Sequence, residues 1–179
     1  MQNNFNYKNI DTWKDRFGGV VNAVVEITKG TVIKNELDCK TGILIPVKIL
    51  HKKYKYKFNY GFINQTYADD NDPVDIAVVC RERLLPKSVL PCRVVGVIKT
   101  VDKDEQDDKI IAVPIYKTGG KSYSKKVNIK RLLRFFSKYK YPNQKGTVVQ
   151  GAGDEDEALE IIQKAEKAYQ AKFSVGGNN

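Results

Sequence analysis

Apolar positions come in short runs or strict alternation through the first two thirds of the chain, and only the last third shows helical spacing. The apolar and β-branched runs predict strands at residues 22–28 (NAVVEIT), 32–38 (VIKNELD), 43–50 (ILIPVKIL), 74–80 (VDIAVVC), 92–101 (CRVVGVIKTV) and 109–116 (KIIAVPIY). Between residues 53 and 60, KYKYKFNY alternates strictly. Tyr54, Tyr56, Phe58 and Tyr60 fall on one side, and Lys53, Lys55, Lys57 and Asn59 on the other. Ile129, Leu132, Leu133 and Phe136 recur at helical spacing and predict a helix over 128–140. A second helix, over 154–172, opens on DEDE and ends near Lys172, as the helix dipole favours. Short strands followed by two helices suggest a β-rich α+β fold, a small closed or nearly closed barrel with helices packed outside.

Composition narrows this picture without changing it. With 179 residues and 41% hydrophobic content, the chain has the size of one domain with its own core. No repeat or low-complexity linker interrupts it before the terminal FSVGGNN, so residues 1–179 read as a single domain in which 173–179 is a disordered tail. No run of about 18 apolar residues is present, and the first residues lack the apolar stretch of a signal peptide, so a cytoplasmic protein with no membrane partner is expected. Cys39, Cys80 and Cys92 have no paired spacing, which argues against a disulfide framework or a thiolate zinc site and leaves them as buried or inert thiols. The net charge of +10 favours anionic partners, from condensed phosphates to nucleic acid, without choosing among them.

The chemistry concentrates in two acidic segments of this basic chain. In Asp69-Asp70-Asn71-Asp72-Pro73-Val74-Asp75, four carboxylates crowd into seven positions just before a strand. Such crowding raises each group's pKa unless a cation compensates, and hard oxygen donors suit Mg²⁺ or Mn²⁺. The same residues also make a good solvated turn, and Asp75 stands where the Ca²⁺ loop of an EF-hand needs glycine. The second segment, Asp102-Lys103-Asp104-Glu105-Gln106-Asp107-Asp108-Lys109, reads by itself as a polar hairpin. Extended from Asp107, however, it puts that carboxylate and Lys109 on one face. Lys34 and Glu36 repeat that spacing, either as part of a site or as a simple ion pair. Tyr139 and Lys140, three and four residues past Phe136, either hold an anion or end an amphipathic helix with the lysine reaching to solvent. His51, the lone histidine, has no partner for a metal or catalytic spacing and reads as a surface residue.

In this order the clusters resemble the soluble family I inorganic pyrophosphatases, whose hallmark DxDPxD is matched by Asp70-Asn71-Asp72-Pro73-Val74-Asp75. The resemblance covers roughly residues 20–170 and includes VVEIT with Glu26, VIKNELD with Lys34 and Glu36, YKFNYGFIN with Tyr56 and Tyr60, VDKDEQDDKIIAVP with Asp102, Asp107 and Lys109, and FFSKYK with Tyr139 and Lys140. It implies a five-stranded OB-like barrel with flanking α-helices and a divalent-metal site at the barrel mouth. It further implies hydrolysis of pyrophosphate to two orthophosphates with several Mg²⁺ ions per site (Mn²⁺ as a substitute), in a homo-oligomer. Carried over residue by residue, Asp70, Asp75, Asp102 and Asp107 would ligate metal, Glu26 would assist through water and Glu36 would order metal-bound water. Asp72 would act as general base. Lys34, Tyr139 and Lys140 would hold the leaving phosphate, Tyr60 and Lys109 the attacked one, with Tyr56 supporting the pocket.

Two features depart from the family pattern. Lys48 occupies the position where the family places a substrate-binding arginine, so charge is kept and the two-pronged geometry is lost, which implies reduced efficiency. The surface is also unusually basic, with Lys52, Lys53, Lys55, Lys57, Lys121, Lys125, Lys126, Lys130, Arg131 and Arg134 all adding charge. Two alternatives follow: an OB-like module binding nucleic acid or another polyanion, or a degenerate relative that binds without catalysis. The carboxylate clusters count against the first, since bare carboxylates repel phosphate.

Overall fold

The computed structural model describes residues 9–115, 127–140 and 147–173. Its strands are β1 (Trp13–Asp15), β2 (Val20–Ile27), β3 (Ile33–Asp38), β4 (Ile43–Ile49), β5 (Asn59–Ile63), β6 (Asp75–Val78), β7 (Val89–Asp102), β8 (Glu105–Gln106), β9 (Lys109–Pro114) and β10 (Thr147–Gly153). Two helices, α1 (Ile129–Phe136) and α2 (Glu155–Phe173), complete the set.

The ladder runs β2–β5–β6–β9–β7, and β7 pairs again with β2, which closes a five-stranded barrel. All of these pairings are antiparallel except β6–β9. Closure depends on the 14-residue β7, which pairs with β2 through residues 89–93, with β9 through residues 92–98 and with β10 through residues 97–102. Its bend falls at a bulge beside Gly96, whose φ of +153° suits glycine and where a Cβ would meet the Gly153 carbonyl oxygen at 2.7 Å. Gly61 in β5 is required for a different reason: a Cβ there would lie 1.8 Å from the Val24 carbonyl oxygen.

Alternate positions of the barrel strands feed two cores. Ile76, Val78, Ile110 and Ala112 pack with Ala158, Ile162 and Ala165 of α2. Ala77 and Ile111 pack instead with Tyr56, Phe58, Tyr60 and the α1 residues Leu132, Phe135 and Phe136. The two sets explain why β6 and β9 read as unbroken apolar runs, since both faces are covered. Helix α2 begins with a reciprocal cap, in which Glu157 N–H donates to Asp154 Oδ1 (3.0 Å) and Asp154 N–H to Glu157 Oε2 (3.3 Å).

Strands β3 and β4 form a separate hairpin that joins no barrel ladder. Leu37 and Leu44, opposite one another, tie it to Val24 and Phe62, while β4 leaves Ile43, Ile45, Val47 and Ile49 exposed.

The structure differs from the sequence reading in five places. The KYKYKFNY segment begins with a 3-10 turn at Lys52–Tyr54 and becomes a strand only at Asn59, although its two faces hold: Tyr56, Phe58 and Tyr60 are buried, and Lys53, Lys55 and Lys57 exposed. Asn59 breaks the pattern by being buried, because its side chain bonds Lys29 N, Leu84 N, Cys80 Sγ and the Glu82 carbonyl. Strands β1, β5, β8 and β10 were not predicted; β10 carries two glycines and alternates between half-buried and exposed residues, so it has no apolar run to announce it. Helix α1 ends at Phe136, so Tyr139 and Lys140 lie in the following turn, where Tyr139 N–H still bonds the Phe135 carbonyl at 2.9 Å. Tyr116, Lys121, Lys125, Lys126 and the tail 174–179 lie outside the described residues, and Phe173 is the last residue of α2.

Candidate active site

A cleft of about 420 Å³ opens at the end of the barrel where β6 and β9 begin, and the acidic segments meet there. Glu26, Lys34, Glu36, Tyr56, Tyr60, Asp70, Asp72, Asp75, Asp102, Asp107, Lys109, Tyr139 and Lys140 all line it. Lys48 does not. It lies opposite Lys34 in the hairpin ladder, where burial and then Lys140 and Lys34 push its ammonium pKa down.

Each wall has a local cause. Glu26 comes from an otherwise apolar strand and reaches the cleft because β2 is bulged between Val25 and Ile27. The DxDPxD loop is held by the bond from Ala68 N–H to the Asp72 carbonyl (2.9 Å), and it turns through Asn71 at φ 70°, a conformation asparagine tolerates. The parallel register then sets Asp75 directly beside Lys109. Asp102 ends β7 next to Thr147 of β10, whose hydroxyl donates to it at 2.7 Å. Lys34 and Glu36 arrive on the hairpin, paired at 2.6 Å.

At the centre, Lys109 is almost fully buried and its ammonium bonds both Asp75 and Asp107. Burial opposes its charge, but Asp75 and then Asp107 outweigh that and push its pKa up to about 12. Tyr60 Oη donates to Asp75 Oδ2 at 2.6 Å, and Lys140 pairs with Asp102 at 2.7 Å. Burial raises the Asp102 carboxyl, but the bonds from Lys140 and Thr147 prevail and hold it below its usual range. Burial, reinforced by Asp75 and Glu36, holds Asp72 above its usual range, and burial does the same for Asp70. Burial also pushes Glu26 up to about 8, against the bond it accepts from Leu37 N–H at 2.7 Å. The hydroxyls of Tyr56, Tyr60 and Tyr139 are driven well above the usual tyrosine range, by burial first, and remain neutral donors. Tyr56 Oη is buried without a hydrogen-bond partner among the described residues, a donor available to a ligand.

The donor set is all oxygen and partly desolvated, and four of its carboxylates, Glu26, Asp70, Asp72 and Asp107, are held above their usual pKa by burial first and by neighbouring carboxylates next. That chemistry fits Mg²⁺. As the side chains stand, no three of the described His, Cys, Asp or Glu gather closely enough to hold an ion, because Lys109 and Lys140 take up Asp75, Asp107 and Asp102.

Lys103 and Glu105, together with Leu37, Cys39, Phe62 and Pro73, also line the cleft and were not singled out from the sequence. Lys103 and Asp104, at φ 52° and 68°, form the tight turn between β7 and β8, so the segment folds as a hairpin, and its Asp102, Lys103, Glu105 and Asp107 line the cleft. Cys39, read as inert, is exposed at the cleft, whereas Cys92 is buried. His51 is on the surface, with its ring nitrogen accepting from Lys53 N–H.

Glu26 supports a direct test of this electrostatic picture. A carboxyl at about 8 in the folded chain and near 4.5 when unfolded keeps its proton only in the folded state between those values. Stability of the metal-free protein therefore falls as pH rises across that window, by on the order of 5 kcal/mol. Glu26→Gln, which keeps the oxygen facing Leu37 N–H, should raise the melting temperature in chelator at about pH 9 and leave it unchanged at about pH 5. Equal effects at both pH values would contradict a desolvated Glu26.

Comparison with known proteins agrees with the geometry. Residues 23–170 match the family model described as inorganic pyrophosphatase. The chain is 38% identical over 155 residues to soluble inorganic pyrophosphatase 1 of Arabidopsis thaliana, covering 84% of this chain and 73% of that one. It is also 38% identical over 162 residues to the inorganic pyrophosphatase of Caulobacter vibrioides, covering 86% and 92%. The crystal structure of an inorganic pyrophosphatase from Neisseria gonorrhoeae superposes with a TM-score of 0.82 at 32% identity, over 92% of this chain and 99% of that one. With its OB-like barrel and its cleft of converging carboxylates, lysines and tyrosines, the chain belongs to the inorganic pyrophosphatase family.

Proposed function

We propose that this chain hydrolyses inorganic pyrophosphate to two orthophosphates with Mg²⁺. The observation that carries the reading is the convergence of carboxylates from β2, β3, the DxDPxD loop, β7 and the β8–β9 turn on one cleft that also holds Lys34, Lys109 and Lys140. Cations alone would bind phosphate, and carboxylates alone would repel it. A cleft with both suits a reaction in which metal and phosphate share one space.

Asp70, Asp75, Asp102 and Asp107 would hold Mg²⁺, with Glu26 and Glu36 acting through water. When bound, Mg²⁺ neutralises phosphate oxygens and lowers the pKa of water. Asp72 takes the proton of the attacking water, and the raised pKa caused by burial and by Asp75 makes it a stronger base than an ordinary aspartate. The water oxygen bonds one phosphorus as the bond from that phosphorus to the bridging oxygen breaks, and the electron pair leaves with the second phosphate. Tyr60 and Lys109 position the attacked phosphate, and the unpartnered hydroxyl of Tyr56 supports the pocket. Lys34, Tyr139 and Lys140 hold the departing phosphate and offset its charge. Among the described residues no helix is long and apolar enough to cross a membrane.

The reading is tested by phosphate release from pyrophosphate, which should require Mg²⁺ and stop on chelation. No Mg²⁺-dependent release from the intact protein would overturn it. The hairpin adds a second test. A guanidinium at position 48 has the planar fork of parallel N–H donors that the Lys48 ammonium lacks, so Lys48→Arg should raise kcat/KM about fivefold, the worth of roughly one net hydrogen bond. An unchanged or lower rate would mean that position 48 does not meet substrate.

A further inference from the structure

Every one of the chain's acidic residues lies outside two long stretches, 39–68 and 109–153, which contain no Asp or Glu at all. The fold brings described parts of these stretches together. Tyr56 and Phe58 pack on Phe135 of α1 with ring centroids 5.2 and 5.1 Å apart, and Phe58 meets Phe136 at 5.4 Å. With the aromatic side turned inward, Lys52, Lys53, Lys55 and Lys57 are left exposed on one segment. By the same packing, Lys130, Arg131 and Arg134 are exposed on α1, and Lys138 on the turn that follows it. None of these cations forms an ion pair with a described residue. The neighbours that might have neutralised them are acid-free as well: the 28–31 turn bonds to Tyr56, and β10 packs against the α1 core through Val149.

We propose that this face binds nucleic acid through its phosphate backbone, without reading sequence. The eight cations make a dense uncompensated field, which is what a phosphate polymer meets by releasing its counterions. No large apolar side chain is exposed within 51–58 or 128–138, so the face has no anchor to insert into a lipid bilayer. Its tyrosine and phenylalanine rings are buried or half-buried and only the small His51 ring is exposed, so stacking of bases contributes little and the face should hold duplex and single strands alike. Polymerisation of nucleoside triphosphates releases pyrophosphate beside the growing strand, so this face would hold the cleft near a reaction that supplies its substrate. The binding itself does not depend on hydrolysis and is measured separately.

The test is fluorescence anisotropy with a labelled duplex and a labelled single strand of unrelated sequences, with anionic phospholipid vesicles as a parallel arm. Binding should be present at about 50 mM salt and weaken by roughly a thousandfold or more at about 200 mM, with a log–log slope of about −5 to −7 on duplex. Replacing Lys52, Lys53, Lys55 and Lys57 with Gln should flatten that slope by about 3 to 4. Replacing Lys130, Arg131, Arg134 and Lys138 with Gln should do the same, and melting temperatures would confirm that both variants fold. No binding at low salt, an unchanged slope in both variants, or capture by anionic vesicles alone would overturn the proposal.

Discussion

Asp72→Asn should lower kcat for pyrophosphate by roughly a hundredfold to ten-thousandfold, the range lost when a positioned general base is removed. The change is nearly isosteric and removes only the ability to accept a proton. Asp72 is exposed at the cleft, and its backbone N–H, which donates to Asp70 Oδ1 at 3.1 Å, is untouched by the substitution. The loop should therefore keep its shape. Because Asp75 and Glu36 repel the Asp72 carboxylate, the neutral amide should leave the melting temperature unchanged or slightly higher. The expected signature is a loss confined to kcat, with KM and stability preserved, read from initial rates and thermal unfolding. A variant that keeps its rate within about threefold would remove Asp72 from the proton-transfer role.

Lys109→Met should damage both stability and turnover. The ammonium is the counter-charge of two partly buried carboxylates, and deleting one member of such a set leaves the others uncompensated, at about 3–5 kcal/mol. For a chain of this size that corresponds to a fall of roughly 10 °C in melting temperature in chelator. A further result distinguishes this from simple loss of packing. Mg²⁺ held by Asp75 and Asp107 would supply the positive charge that the variant lacks, so added Mg²⁺ should raise the melting temperature more in the variant than in the parent. An equal or smaller rise would mean that those carboxylates do not meet the ion. Activity should stay low even with Mg²⁺, because the donor we assign to the attacked phosphate is gone.

The sequence showed which residues meet but not how they are paired. Strands β2, β6, β7 and β9 were legible because neighbours cover both their faces and exclude polar residues. Strand β5 was hidden because Asn59 and Gly61 interrupt its pattern, the first being polar yet fully bonded and the second demanded by contact with Val24. The spacing of Asp107 and Lys109 placed both at the cleft, but the burial of Lys109 between two carboxylates depends on Asp75, which lies far away in sequence and is set beside it by a parallel ladder. Glu26 was found through resemblance alone, since its pattern is that of a core strand and only the bulge turns it outward. Lys48 illustrates the opposite limit: its collinear position is clear, but the hairpin register puts it opposite Lys34 and outside the cleft lining.

That hairpin gives the molecule a modular design. Lys34, Glu36 and Lys48 are carried on β3 and β4, whose ladder joins only each other; the hairpin meets the barrel through Leu37 N–H, which donates to Glu26 Oε1 at 2.7 Å, and the Asn35 amide, which donates to the Glu26 carbonyl at 3.4 Å. Most exchanges at exposed positions of such an appendage leave the barrel's ladders intact, so the folding free energy is largely insulated from them. The rate is not insulated, because the appendage delivers a cation and a carboxylate to the cleft. Substitutions here can therefore retune catalysis with little loss of thermal tolerance, and the lysine at position 48 would be one such adjustment.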